Sequence, residues 1–127
     1  MVLTKKYLIE SKHAADKLGS GDIRVLSTPS MVLFMEMTAR ECVQPKLPDG
    51  YITVGSRVNV RHLNPAPIGE KLSVTARLVK INDRRLGFEV RAEWRSKVIG
   101  EGLHERFVVN NERFLAKLVE DMRLSGN

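Results

Sequence analysis

Three polar side chains stand where the surrounding pattern expects apolar ones. Thr28 precedes the apolar stretch MVLFMEMTARECV at 31–43. With Pro29 at the first helical position, where a missing N–H costs nothing, Thr28 reads as an N-cap contributing about 1 kcal/mol. The same place offers free backbone N–H groups and the positive end of a helix dipole, which can hold a developing oxyanion. Glu36 lies inside the apolar stretch. It reads either as a surface residue with an i,i+4 ion pair to Arg40 or, among Leu33, Phe34, Met35 and Met37, as a partly buried carboxylate able to act as a base. It lies two turns beyond Thr28, about 12 Å along a straight axis, so the two flank one substrate rather than hydrogen-bond. His62 ends an apolar strand face before Leu63-Asn64-Pro65. It reads as a satisfied core residue or as a general acid/base near neutral pH.

The other chemically active side chains are less suggestive. His13 reads as a surface residue. His104 alternates onto the face of Gly100, Gly102 and Arg106 and reads as a structural or supporting group. Cys42 falls in the apolar stretch and reads as core rather than nucleophile. As the only cysteine, it excludes an internal disulfide framework and a cysteine-based zinc site. No HExxH, GxSxG, P-loop or GxGxxG pattern is present, and no metal or cofactor is expected.

These residues must be positioned by regular elements, and hydropathy periodicity supplies them. Residues 7–10 read as a first strand and 19–22 as a loop. The 31–43 stretch is apolar nearly all round, the mark of a buried helix. After Gly50 the period becomes two. Ile52, Val54, Val58, Val60 and His62 share one face, opposite Tyr51, Thr53, Gly55, Arg57, Asn59 and Arg61. The segments 71–80 and 85–95 alternate cleanly around a tight turn at 82–84. Ser96-Lys97 reads as a second turn, and 98–109 as a further strand. Asn111 reads as the cap of a C-terminal helix with Phe114, Leu115, Leu118, Val119 and Met122 on one face. An antiparallel sheet with one apolar face needs a cover, and the 31–43 helix is the element apolar enough. The expected architecture is α+β, a curved antiparallel sheet wrapped around one central helix.

The chain has 127 residues, 43% hydrophobic and 28% charged. That suits one domain, 1–127, with enough length for a core of its own. No apolar run reaches the roughly 20 residues of a membrane span, and the N-terminus lacks the apolar core of a signal peptide. The expected location is cytoplasmic, with no membrane partner. The net charge of +6 is concentrated: residues 56–97 carry ten Lys/Arg against four Asp/Glu, and elsewhere the charges cancel. Such a segment suits a phosphate-bearing small molecule, nucleic acid, or simple solubility. Against nucleic acid, Trp94 falls on the inward face and no aromatic stacking platform is visible.

The stretches VLSTPSMVLFMEMTARECV (25–43), TVGSRVNVRHLNPAPIGEKLSV (53–74), DRRLGFEVRAEW (83–94) and GLHERFVVN (102–110) resemble hot-dog-fold acyl-CoA thioesterases. The likeness is greatest to the fluoroacetyl-CoA thioesterase-like group. The resemblance covers roughly 25–110 and maps the family's catalytic threonine, glutamate and histidine onto Thr28, Glu36 and His62. It implies hydrolysis of an acyl-CoA thioester without a cofactor. Gly55 matches a glycine of the acyl-site strand. The positive segment then has a use, since CoA carries a diphosphate and a 3′-phosphate; Arg57, Arg61, Arg84, Arg85, Arg91 and Arg106 are the candidates. The resemblance also implies a homodimer joined sheet edge to edge, with the site at the subunit interface, and in some members a dimer of dimers. A non-catalytic acyl-CoA-binding regulator is the rival. A hydratase is disfavoured because the His-Leu-Asn-Pro run at 62–65 lacks the required Asp. One departure concerns specificity: LGSGDIRVL at 18–26 lacks the phenylalanines that form a lid before the helix in the fluoroacetyl-specific enzyme.

Overall fold

The structure is a computed structural model that describes residues 1–124. Its strands are β1 (Val2–Leu8), β2 (Tyr51–His62), β3 (Lys71–Asn82), β4 (Arg85–Trp94) and β5 (Lys97–Asn110). Its helices are α1 (Ala15–Leu18), α2 (Thr28–Val43) and α3 (Asn111–Leu124). The strands form one antiparallel sheet in the order β1-β3-β4-β5-β2. The expected α+β architecture is present, with α2 packed on one face of the sheet.

Alternation explains this packing. Leu72, Val74 and Ala76 of β3 and Leu86, Phe88, Val90 and Ala92 of β4 are buried beneath Met31, Phe34, Met35 and Ala39 of α2. Burying each large apolar side chain is worth roughly 1.5–3 kcal/mol, so this layer ties helix to sheet. β3 and β4 join through a turn at Asp83-Arg84. β4 and β5 join through Arg95-Ser96, both at positive φ (49° and 66°), the geometry that matches the strand twist. This second turn lies one residue earlier than the expected Ser96-Lys97. No helix among the described residues is long and apolar enough to cross a membrane.

Four further details depart from expectation. The first strand is Val2–Leu8 rather than 7–10. It is an edge strand pairing with β3, and its alternating half-exposed side chains give little hydrophobic signal. The cap of α2 is Ser27, whose Oγ accepts the Ser30 N–H at 3.1 Å, so Thr28 becomes the first helical residue and Pro29 the second. The cap of α3 is Asn110, whose Oδ1 accepts the Arg113 N–H at 3.0 Å. Finally, β2 does not alternate regularly. Its pairing with β5 slips by one residue between Gly55 and Arg57. The slip turns Thr53 and Gly55 toward α2, along with Val58, Val60 and His62, and turns Ile52 and Val54 the other way. Every residue of α3 is exposed, including its apolar face of Phe114, Leu115, Leu118, Val119 and Met122.

Candidate active site

The shift of the cap to Ser27 frees the Thr28 hydroxyl. Thr28 Oγ1 lies 2.8 Å from His62 Nδ1, joining the N-terminus of α2 to the last residue of β2. His62 pairs with Gly100, whose missing Cβ leaves room for Met31. Its second ring nitrogen, Nε2, is buried and has no hydrogen-bond partner. Burial lowers the His62 pKa, against a smaller upward pull from the nearby Asn64 backbone. The imidazole is therefore neutral at pH 7 and able to take a proton.

Glu36 is half-buried farther along α2 and makes no ion pair with Arg40 among the described residues. Its carboxylate lies over Gly55: a Cβ built there would be 2.8 Å from Glu36 Oε2 and 3.6 Å from both Arg106 Nη1 and His104 Cε1. Only glycine fits without displacing the carboxylate. Arg106 is buried. Its Nε donates to Thr53 Oγ1 at 2.7 Å, Nη2 to the Thr53 carbonyl at 3.0 Å and Nη1 to His104 Nε2 at 3.2 Å. Burial lowers the Arg106 pKa, while the charge of Glu36 raises it. His104 is neutral for the same leading reason, desolvation.

The structure thus brings Thr28 to His62, and Glu36 to Gly55, as two separate contacts within one chain. Arg106 departs from the expected basic rim, because a buried guanidinium bonded to Thr53 presents nothing to a phosphate. Arg85 pairs with Glu105 at 3.5 Å and Arg91 with Glu101 at 3.6 Å. Arg57, Arg61 and Arg84 are exposed, with no ion pair among the described residues. Sequence reasoning missed Thr53 and the Arg106–Glu36 proximity, since both depend on the slip in β2. Cys42 is half-buried with its thiol pKa raised by desolvation, which fits packing rather than nucleophilic work. A groove of about 640 Å³ lies on the opposite sheet face among Arg77, Glu89, Arg91 and Glu101. It contains none of Thr28, Glu36 or His62.

A sequence model described as fluoroacetyl-CoA-specific thioesterase matches residues 9–112. The chain belongs to that thioesterase family. A fluoroacetyl-CoA thioesterase of Streptantibioticus cattleyicolor is 36% identical over 94 residues, 74% of this chain and 68% of that protein. A solved fluoroacetyl-CoA thioesterase structure superposes with a TM-score of 0.87 at 28% identity, covering 94% of this chain and 93% of the other. A hot-dog-like protein of Thermanaerovibrio acidaminovorans, 22% identical, superposes at 0.88 over 95% and 90% of the two chains and supports the fold. The expected hot-dog architecture and the family resemblance both hold.

The imidazoles of this family member, His104 buried and His13 and His62 half-buried (His13 not at the surface as expected), give a stability prediction. His13, His62 and His104 all have folded pKa values below the ordinary 6.5, each chiefly through desolvation. The unfolded chain then binds more protons than the folded one below pH 6.5, so stability is full above that pH. It falls as the pH drops through the window between 6.5 and the lower folded values. Thermal midpoints measured from pH 7.5 to 5.5 should decline, with a shallower slope in His62→Ala. A midpoint flat across that window would contradict the lowered imidazole pKa values.

Proposed function

We propose that Thr28, Glu36 and His62 carry out the acyl-CoA thioester hydrolysis that family membership assigns to this chain. The observation that carries the reading is the 2.8 Å Thr28–His62 contact at the N-terminus of α2, beside a buried and unpartnered Nε2. In this reading Thr28 donates its hydroxyl proton toward neutral His62, and binds or attacks the acyl carbonyl at the positive end of α2 or positions the water that does. Glu36 serves as base or nucleophile at the acyl carbon, and His62 as general acid/base. Addition to the carbonyl and breakage of the C–S bond give the free acid and the CoA thiol, with water consumed. Gly55 leaves its backbone open to the acyl group.

Two features support a homodimer. β2 is an edge strand, whose free N–H and C=O groups invite another strand. α3 exposes its apolar face, and a 14-residue helix without packing is marginal in water. A second copy joined at β2 covers the edge and brings Glu36 and His62 of different subunits toward one site. Pairing of two such dimers is the further step. A cytoplasmic setting suits the lone thiol. The absence of phenylalanine from 18–26 argues against selectivity for fluoroacetyl, and the acyl group is left to the ester panel below.

Thiol release from acyl-CoA esters, short to aromatic, tests the activity. Binding of these esters without release would favour the regulatory role. Arg57, Arg61 and Arg84, which have no ion pair among the described residues, are proposed to receive the CoA phosphates. Changing each to Glu should raise KM by about tenfold to a hundredfold, and more than it lowers kcat, as charge-assisted contacts of about 1.5–3 kcal/mol are lost. Unchanged KM in all three would overturn that assignment.

A further inference from the structure

Gly55 and His62 are an odd and an even position of one strand, and a regular strand turns such positions to opposite faces. Here both face α2: Gly55 pairs with Arg106 and His62 with Gly100. The inserted residue is Ser56, which shifts the parity of β2 while β5 advances only from Arg106 to Glu105. The bulge sits on an edge strand, with no strand among the described residues on its outer side. Three consecutive residues of β5 grip it instead. Arg106 holds Thr53, ahead of the insertion, through Thr53 Oγ1 at 2.7 Å and the Thr53 carbonyl at 3.0 Å. Glu105, on the other sheet face, accepts from Ser56 Oγ at 3.1 Å and is paired with Arg85 at 3.5 Å. His104 Nδ1 bonds the Arg57 carbonyl at 2.8 Å, just past the insertion. A carbonyl only accepts, so His104 carries its proton on Nδ1, and Nε2 accepts from Arg106 Nη1. That bond ties the first grip to the third.

We propose that His104, Glu105 and Arg106 form a clamp on the β2 bulge, and that Glu105 is a positioning residue for thioester hydrolysis. Glu105 touches none of Thr28, Glu36 or His62. It holds the one residue whose insertion lets Gly55 face Glu36 and His62 face Thr28 on the same strand. The inference rests on the proposed active site.

The test compares Glu105→Ala, Glu105→Gln and Ser56→Ala in the full chain. Glu105→Ala should lower kcat by about tenfold to a hundredfold, the scale of an ångström-sized misplacement, with KM nearly unchanged. Glu105→Gln keeps an oxygen for Ser56 and should recover most of kcat, while Ser56→Ala should follow Glu105→Ala. An independent readout is the amide 1H–15N spectrum: Gly55, Ser56 and Arg57 should shift and exchange faster in both alanine variants. Wild-type amide positions in a folded Glu105→Ala protein would overturn the clamp. Shifted amides with wild-type kcat would overturn the positioning role. A glutamine variant as impaired as alanine would place the effect in the charge shared with Arg85 and reject the Ser56 grip. Should Glu105→Ala not fold, Ser56→Ala decides by the same criteria. If the wild-type protein releases no thiol from any ester, the proposed function fails, while the amide spectrum still judges the clamp.

Discussion

Glu36→Gln is expected to lower kcat/KM for the best acyl-CoA ester by about a hundredfold or more, the scale of removing an acid–base group, while the protein stays folded. A hundredfold loss corresponds to about 2.7 kcal/mol of transition-state stabilisation. The amide keeps the size of the carboxylate, so the contact with Gly55 survives. Arg106 loses a nearby negative charge but keeps three acceptors, Thr53 Oγ1, the Thr53 carbonyl and His104 Nε2. It is therefore not left buried without partners, the situation that makes charge removal costly. The loss should fall on kcat, because a base or nucleophile acts in the transition state; a change confined to KM would recast Glu36 as a binding group. Wild-type turnover in a folded variant would remove Glu36 from the site.

How far this site could be read from sequence depends on what each residue's signal measures. Period-two alternation in β3 and β4 has a large amplitude because Leu72, Val74, Ala76, Leu86, Phe88, Val90 and Ala92 are buried, so the hairpin and the covering helix were legible, though the slip in their pairing between Leu78 and Lys80 was not. A bulge has no such signal. Ser56 is one residue among twelve in β2, yet it reverses the facing of everything on one side of it. Regular alternation therefore put Thr53 and Gly55 outside, when both stand beneath α2. The parity conflict between Gly55 and His62, two residues the family resemblance placed in one site, was the available clue. Charge misled in the case of Arg106: arginine defaults to the surface, and its burial depends on acceptors from Thr53, a residue 53 positions away. The cap was misplaced by one because Ser27 and Thr28 are both good caps, and Pro29 fits either of the first two helical positions. β1 was undercounted because an edge strand with half-exposed side chains contrasts little with a loop.

The one-residue placement of the cap decides how Thr28 should behave when mutated. A capping threonine replaced by alanine costs about 1 kcal/mol, which for a domain of this size lowers the thermal midpoint by a few degrees. Ser27 holds the cap through Ser30 N–H, so Thr28→Ala should leave the midpoint near that of the wild type. Its kcat/KM should nevertheless fall by about a hundredfold, because the hydroxyl 2.8 Å from His62 Nδ1 is gone. His62→Ala should lose at least as much. If hydroxyl and imidazole act as one unit, the double variant should be no slower than His62→Ala alone, as happens when the first loss already disables the partner. Thr28→Ser, which keeps the hydroxyl, should recover most of the activity. Multiplying losses would mean that the two groups act on different parts of the substrate. A lowered midpoint with unchanged kcat in Thr28→Ala would return the threonine to a structural role and leave the unpartnered Nε2 of His62 to be explained by the proposed subunit interface alone.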